Sequence, residues 1–323
     1  MIDMNKSLKK ILKDNNAEEF EKYLMYTPSL MGKMMLSAFP ETILKGAKTW
    51  SREGMNLGLN LIEKTANSKN RCIYPLYSAE ECKDDKQKKD VVIMRFPVDK
   101  KSPYIVVCAG GGYTSVCSLA EGFPTAARFN ELGYNVFLLN YRIGGTGVLP
   151  KPLDDLAKAV SFIEGNAKEF NVEKENYAVC GFSAGGNLTT LWGTENVGYK
   201  KYGLPKPKAL FPIYPAIGGG IFEEVRHKKI AETMFGKNPS KEIIDKYDAY
   251  LHLSDFPPCY IVACEDDNTV PFTQSVALSE KLNELSIKNV LDLGKRGGHG
   301  FGEGSGTDAA GWPKRAIEFF ESL

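Results

Sequence analysis

Gly181-Phe182-Ser183-Ala184-Gly185 is the stretch of this chain whose residue types are best suited to chemistry. It follows an apolar run that predicts a strand, and its glycines stand two residues away on either side of a serine. Glycine lacks a Cβ and so permits the sharp, strained turn from a strand into a helix that exposes a serine hydroxyl at the carboxyl end of a sheet. The pattern predicts that Ser183 is a nucleophile. The pentapeptide alone also arises by chance, so further residues must support it.

A serine hydroxyl needs a general base, and the chain has three histidines that could serve, His227, His252 and His299. His299 lies in a glycine-rich segment, residues 297–302, after the last predicted strand. Its neighbouring glycines let a loop carry the imidazole over the sheet edge toward Ser183. His227 lies in a charged segment that predicts a solvated surface, and His252 precedes a strand and predicts a core or lid residue. We therefore expect His299 to be the base, the alternative being an incidental histidine in a flexible loop.

The acid that orients the base is expected after a strand between the serine and the histidine. Glu265, Asp266 and Asp267 follow an apolar run there. Asp267 stands four residues before Pro271, in a turn that would place its carboxylate at the end of the strand. We expect Asp267 to accept a hydrogen bond from the imidazole and to stabilise the imidazolium, and Asp266 is the alternative acid.

A strand running into Gly110, Gly111 and Gly112 supplies a candidate site for a developing oxyanion. Consecutive glycines let backbone N–H groups point inward together and approach a substrate oxygen closely. The expected donors are the N–H groups of Gly111, Gly112 and Ala184. The alternative, a phosphate-binding loop, is disfavoured because neither G-x-G-x-x-G nor G-x-x-x-x-G-K-[ST] can be placed in the chain.

Composition excludes several classes of function. Lys plus Arg is 41 and Asp plus Glu is 40, so no net charge favours nucleic acid or a membrane surface as a partner. No apolar run approaches the roughly 20 residues of a membrane span, and the first residues do not resemble a signal peptide. The seven cysteines are odd in number and lack C-x-x-C spacing, which favours reduced thiols in a cytoplasmic protein. No metal-ligand spacing such as H-E-x-x-H is present, so neither a metal nor an organic cofactor is expected.

From residue 71 onward, strand-like and helix-like segments alternate, which predicts a mostly parallel eight-stranded sheet with helices on both faces. The predicted strands are Cys72–Tyr77, Val91–Pro97, Tyr104–Ala109, Val136–Tyr141, Tyr177–Gly181, Ala209–Tyr214, Cys259–Cys264 and Asn289–Leu293. The predicted helices are Gly122–Leu132, Pro152–Phe170, Asn187–Glu195, Thr273–Leu285 and Trp312–Ser322.

Two segments fall outside this alternation. Residues 1–70 predict proline-punctuated helices, which would form a helical N-terminal extension or cap on a catalytic domain of residues 71–323. Met34 and Met35 belong to an apolar patch there that would either cover a pocket or pack on the core. Residues 216–255 predict a largely helical, lid-like insertion over the carboxyl ends of the strands, where open α/β sheets bind ligands.

The order Ser183, Asp267, His299 resembles that of the α/β-hydrolase enzymes. More closely, the chain resembles the bacterial acetyl esterase, acetyl-xylan and feruloyl esterase-like group, which is related to hormone-sensitive-lipase-type esterases. The segments that carry the resemblance are Gly110–Tyr113, Glu121–Pro124, Asn140–Arg142, Gly181–Gly186, His299–Gly302 and Gly306–Trp312. Two departures stand out. Ala109 replaces the histidine of a His-Gly-Gly-Gly motif, and Cys264 replaces a glycine that is usual in the acid turn.

The resemblance implies a serine carboxylic-ester hydrolase that acts on small-molecule short acyl esters, with acetyl groups on sugars or oligosaccharides as the expected substrates. Two alternatives remain, a serine peptidase of the prolyl-oligopeptidase type and a non-catalytic ligand-binding protein on a hydrolase scaffold. The acyl length, the alcohol and any homo-oligomeric state stay open at this point.

Overall fold

Eight strands form one sheet, as the alternation of segments predicts. The structure is a computed structural model that describes residues 2–68, 70–218 and 228–323. The strands are β1 (Ile73–Pro75), β2 (Val92–Phe96), β3 (Ser102–Cys108), β4 (Asn135–Asn140), β5 (Val172–Phe182), β6 (Ala209–Ile213), β7 (Cys259–Cys264) and β8 (Asn289–Gly294). Their order is β1-β2-β4-β3-β5-β6-β7-β8. Only the pairs β1–β2 and β2–β4 are antiparallel, so the carboxyl ends of β3 to β8 meet at one edge of the sheet.

The central strands are nearly continuous apolar runs because both of their faces are covered. In β3, residues 104–108 are all buried. Their side chains alternate between two buried clusters, with Val106 in one and Ile105 and Val107 in the other. The core therefore lies in two layers, one on each face of the sheet.

Helices cover both layers. They are α1 (Leu8–Asp14), α2 (Glu21–Leu24), α3 (Leu30–Ser37), α4 (Pro40–Gly46), α5 (Arg52–Ala66), α6 (Phe123–Glu131), α7 (Lys151–Gly165), α8 (Ala167–Phe170), α9 (Ala184–Gly193), α10 (Lys228–Phe235), α11 (Lys241–Lys246), α12 (Thr273–Glu284) and α13 (Trp312–Glu321). Buried residues of α7, α9 and α12 pack on one face, and those of α5, α6 and α13 pack on the other. The helix predicted over 152–170 is interrupted at Asn166, and the one predicted from Asn187 begins three residues earlier, directly after Ser183.

Buried residues of the N-terminal helices pack in the same layer as α6 and α13. Gly58 of α5 lies so close to α6 that a Cβ would stand 2.9 Å from the Cβ of Phe123. Phe20 packs edge-on against Phe123, with the ring centroids 6.0 Å apart. In the methionine-containing patch, Met35 packs against this layer whereas Met34 is 70% exposed. Residues within 2–68 thus contribute to the same buried core as α6, and the standing of residues 1–70 as a separate unit remains a prediction.

The insertion between β6 and β7 contains α10, α11 and a short 3₁₀ turn, Ala249–Leu251. The sequence-based interpretation of His227 falls outside the described residues. Among the helices that the structure describes, none is both long and apolar enough to cross a membrane.

Candidate active site

The turn between β5 and α9 holds Ser183 in a strained backbone conformation, with φ 51° and ψ −112°. Gly181 and Gly185 are required in this turn because backbone atoms of neighbouring segments lie too close to each of them for a side chain to fit. A Cβ on Gly181 would stand 2.1 Å from the carbonyl oxygen of Gly185, and one on Gly185 would stand 2.1 Å from the carbonyl oxygen of Cys108. Any larger residue would push β5, α9 and β3 apart, so the two glycines are what allow Ser183 to stand at the sheet edge.

Ser183, His299 and Asp267 form a continuous hydrogen-bonded chain. Ser183 Oγ lies 2.8 Å from His299 Nε2, and His299 Nδ1 lies 2.7 Å from Asp267 Oδ2. The other oxygen of Asp267 accepts hydrogen bonds from the N–H groups of Thr269 and Val270, at 2.8 and 2.9 Å. These bonds hold the carboxylate at the end of β7 with one oxygen aimed at the imidazole.

The neighbouring acid, Asp266, does not contact the imidazole. Its Oδ1 accepts hydrogen bonds from the N–H groups of Gly297 and Gly298, at 2.9 and 2.7 Å, and so anchors the loop that carries His299. Another histidine, His252, lies within the insertion, where its Nε2 is 3.0 Å from the carbonyl oxygen of Asp245. The geometry therefore distinguishes Asp267 from Asp266 and separates His252 from the serine.

Gly111 and Gly112, in the loop after β3, line the same cavity as Ser183. Gly111 has φ 130° and Gly112 has φ 61°, and a Cβ on Gly111 would stand 2.3 Å from the carbonyl oxygen of Ser115. Within the described part of the chain, neither glycine N–H has a hydrogen-bond partner. Ala184 occupies the first position of α9, where a helix leaves its N–H groups unsatisfied. All three residues line the same cavity as Ser183.

Glu121 is a buried carboxylate whose role the sequence patterns did not indicate. Its Oε2 accepts a hydrogen bond from the N–H of Gly110 at 2.6 Å, and its Oε1 accepts one from the hydroxyl of Tyr214 at 2.9 Å. The ring of Tyr214 lies against His299, with the centroids 4.7 Å apart. Burial raises the pKa of the Glu121 carboxyl, whereas these two donors lower it. Glu121 is therefore a positioning residue that connects the glycine loop to the support of the imidazole.

Both departures from the family pattern are accommodated locally. The carbonyl oxygen of Ala109, which replaces a histidine, accepts a hydrogen bond from the hydroxyl of Tyr141 at 2.5 Å. The thiol of Cys264 fills space beside Gly297, where a Cβ would stand 2.5 Å from its Sγ. Because position 297 is a glycine, the bulkier residue at 264 does not displace the histidine loop.

The cavity over Ser183 has a volume of about 290 Å³ and a mainly apolar lining. Met234 of α10 and Val270 form part of its wall. Cys117 also lines it, and burial raises the pKa of this thiol to about 12, so it stays protonated at neutral pH and is a poor competing nucleophile. Within the described residues, no group of three His, Cys, Asp or Glu side chains is arranged to hold a metal ion.

The N-terminal segment completes this wall. Trp50 lines the cavity, and the hydroxyl of Thr49 donates a hydrogen bond to the carbonyl oxygen of His299 at 2.7 Å. These contacts could not be predicted from the sequence, because Thr49 and His299 are 250 residues apart and no local pattern relates them.

A family model described as BD-FAE matches residues 93–282, which is more than half of the chain. The chain belongs to this family. The BD-FAE match spans β2 to α12 and so includes Ser183 and Asp267 but ends before His299. The resemblance to acetyl-xylan and feruloyl esterase-like proteins predicted from the sequence is thereby confirmed.

Relatives of this BD-FAE protein include xylan-related enzymes. Endo-1,4-beta-xylanase B of Butyrivibrio fibrisolvens is 30% identical over 224 residues, which cover 66% of this chain and 35% of the relative. Acetylxylan esterase of Xylanibacter ruminicola is 28% identical over 216 residues, which cover 65% of this chain and 43% of the relative. The chain therefore spans less than half the length of either protein.

Among solved structures, the BD-FAE chain is similar to the acetyl ester-xyloside bifunctional hydrolase of Caldicellulosiruptor lactoaceticus. The two share 27% identity with a TM-score of 0.67, over 77% of this chain and 95% of that one. This similarity, together with the strand order and the flanking helices, confirms the predicted α/β-hydrolase fold.

Proposed function

We propose that this BD-FAE family member is a serine carboxylic-ester hydrolase in which Ser183 is the nucleophile, His299 the general base and Asp267 the acid that orients it. The observation that carries the proposal is the hydrogen-bonded chain from Ser183 Oγ through His299 to Asp267, in a cavity also lined by Gly111 and Gly112, whose N–H groups have no hydrogen-bond partner among the described residues. Acyl transfer requires these parts together, because the nucleophile must lose a proton while negative charge develops on the carbonyl oxygen.

The reaction has two steps. Ser183 Oγ attacks the ester carbonyl and its proton passes to His299 Nε2, while the N–H groups of Gly111, Gly112 and Ala184 stabilise the oxyanion. Collapse of the tetrahedral intermediate breaks the bond to the alcohol, whose oxygen receives the proton from His299. Water then attacks the acyl-enzyme by the same route, which releases the acid and restores Ser183. Activity falls in acid because His299 must be neutral to accept the first proton.

The proposed substrates are short acyl esters, with acetylated sugars or oligosaccharides as the expected class. The relatives named above include an acetylxylan esterase, and the small apolar cavity suits a short acyl group. The proposal includes a small-molecule ester as the partner, no nucleic acid, no membrane span and no cofactor, and it leaves self-association open. A cytoplasmic location belongs to it as well, supported by seven cysteines that are all unpaired.

The test is hydrolysis of p-nitrophenyl acetate, butyrate and octanoate by the wild-type protein and by Ser183→Ala. Ser254→Ala, which removes an exposed hydroxyl in the turn before β7, is the matched control. We expect turnover that declines with acyl length, is lost in Ser183→Ala and persists in the control. Equal turnover by folded Ser183→Ala would refute the nucleophile assignment. A preference for octanoate would refute the short-acyl assignment, and faster cleavage of a matched amide would favour a peptidase.

A further inference from the structure

A second cavity of about 760 Å³ adjoins the first across Trp50. Trp50 lines both cavities, and so does the histidine loop, with His299 and Gly300 facing one and Gly297 and Gly298 facing the other. The rest of the second cavity is formed by polar side chains from residues 48–53, from the turn after β7 and from residues 305–308. We call this second cavity the polar groove.

Several polar groups that line the groove have no partner among the described residues. Within that part of the chain, the indole N–H of Trp50, the guanidinium of Arg296 and the amide of Asn268 make no hydrogen bond or ion pair. Asp266 and Asp308 each use a single carboxylate oxygen to accept backbone N–H groups, and the second oxygen of each has no hydrogen bond to any residue that the structure describes. The groove thus offers both donors and acceptors to a ligand.

The position of the groove places it on the side of the leaving alcohol. The leaving alcohol must lie next to His299 Nε2, because that nitrogen returns the proton to the alcohol oxygen. The groove is built on the same loop as His299, whereas the oxyanion donors Gly111 and Gly112 line only the first cavity. At about 290 Å³ that cavity is at the small end for a ligand site. A large alcohol must therefore extend past Trp50.

Charge and shape narrow the class of ligand. Lys48, Arg52 and Arg296 are balanced in the groove by Glu53, Asp266 and Asp308, so a strongly charged ligand of either sign would meet like charges. A neutral sugar offers hydroxyl groups that both donate and accept, together with an apolar ring face. An indole at the junction suits such a ligand, because it combines a flat apolar surface with one N–H donor.

We propose that the polar groove binds the sugar units of a neutral oligosaccharide on the leaving-group side of the ester, with Trp50 packing against the unit next to the scissile bond. This inference rests on the proposed function, since it assumes that an ester is cleaved at Ser183. It assigns the choice of the alcohol to residues 48–53 and 296–308, and both ranges lie outside the part of the chain that matches the BD-FAE model.

The test compares kcat/KM for mono-acetylated xylotetraose with kcat/KM for p-nitrophenyl acetate in each protein. The double variant Arg296→Ala/Asn268→Ala should lower this ratio about tenfold, as the loss of one or two hydrogen bonds to a ligand predicts. Trp50→Ala should lower it at least as much. Lys314→Ala, an exposed cation on α13 outside the groove, is the matched control and should leave the ratio unchanged. An unaltered ratio in both groove variants would overturn the proposal.

A binding experiment separates the groove proposal from the esterase proposal. Binding of unacetylated xylotetraose to Ser183→Ala is measured by tryptophan fluorescence and by calorimetry. Saturable binding that is weakened in Ser183→Ala/Arg296→Ala/Asn268→Ala supports the groove even if no ester is hydrolysed. Normal hydrolysis of p-nitrophenyl acetate without any binding of xylotetraose would overturn the groove and leave the esterase proposal intact. Tighter binding of an acidic xylo-oligosaccharide would contradict the neutral-ligand assignment.

Discussion

At the scale of single residues, Glu121 shows how one buried side chain organises the site. It accepts hydrogen bonds from the glycine loop and from Tyr214, which packs on His299. A glutamine at this position would turn an N–H group toward one of these two donors. A buried donor without an acceptor costs about 1–3 kcal/mol. The side chain is 5% exposed, so water cannot compensate for the lost bond.

We therefore expect Glu121→Gln to lower kcat by about 10- to 100-fold, with a smaller change in KM, because the oxyanion donors and the imidazole lose their alignment. Steady-state kinetics on p-nitrophenyl acetate across the pH range measures this, since a misaligned imidazole also changes the shape of the pH profile. Tyr214→Phe removes only one of the two bonds and should have the milder effect. Wild-type kcat and an unaltered pH profile in Glu121→Gln would contradict the positioning role.

The same variant tests the electrostatics of Glu121. Burial raises the pKa of this carboxyl in the folded protein above its ordinary value of 4.5. The folded state thus binds this proton more tightly than the unfolded chain does. The resulting contribution to the free energy of unfolding is fully present below pH 4.5 and is lost as the pH rises through the pKa of the folded state. Relative to Glu121→Gln, the wild type should lose free energy of unfolding over that range. Every other titratable group is common to both proteins, so a difference that stays constant with pH would contradict the assignment.

At the scale of elements, the end of β4 is fixed by a buried ion pair. Arg142 is 5% exposed and Asp155 of α7 is fully buried, and the guanidinium donates to both oxygens of that carboxylate. The hydroxyl of Tyr77 also donates a hydrogen bond to Asp155, at 2.7 Å. Next to Arg142 at the end of β4, the hydroxyl of Tyr141 donates a hydrogen bond to the carbonyl oxygen of Ala109, which precedes the glycine loop. The network thus ties α7 to the end of β4, and Tyr141 ties that end to the residue before the proposed oxyanion donors.

Removing one partner of such a pair leaves a buried charge without compensation, which costs about 3–5 kcal/mol. We expect Arg142→Ala to lower the free energy of unfolding, measured by urea titration, by about that amount. The exposed pair of Lys314 and Glu318 on α13 provides the control, because solvent screens it, and Lys314→Ala should change stability far less. Equal effects of the two variants would show that the network contributes little.

At the scale of the whole molecule, what the sequence predicts well is local. The glycines around Ser183 and the turn after β7 impose backbone geometry on their immediate neighbours, so Ser183 and Asp267 could be placed on strand ends from short segments alone. The strand and helix alternation also sufficed for the sheet, because buried parallel strands need continuous apolar runs. Errors were confined to boundaries, such as the break at Asn166.

What the sequence could not predict depends on contacts between distant segments. Thr49 and Trp50 reach the histidine loop only because α5 packs on α6, and Glu121 acquires its role only when β3, α6 and β6 are assembled. The periodicity of apolar residues along the sequence does not indicate which distant segments will contact each other. The sequence predicts an N-terminal extension or cap but not which of its residues contacts the site, and in the fold Trp50, in the turn between α4 and α5, lines the candidate active site.

In the proposed reaction, Ser183 carries the acyl group between the two steps. This covalent intermediate can be trapped by acid quenching of the reaction with p-nitrophenyl acetate and located by mass spectrometry of the digested protein. We expect one acetyl group on the peptide that contains Ser183, and none on the same peptide in Ser183→Ala. Acetylation of Cys117 in its place, or continued turnover in Ser183→Ala with no acetylated peptide, would contradict this prediction.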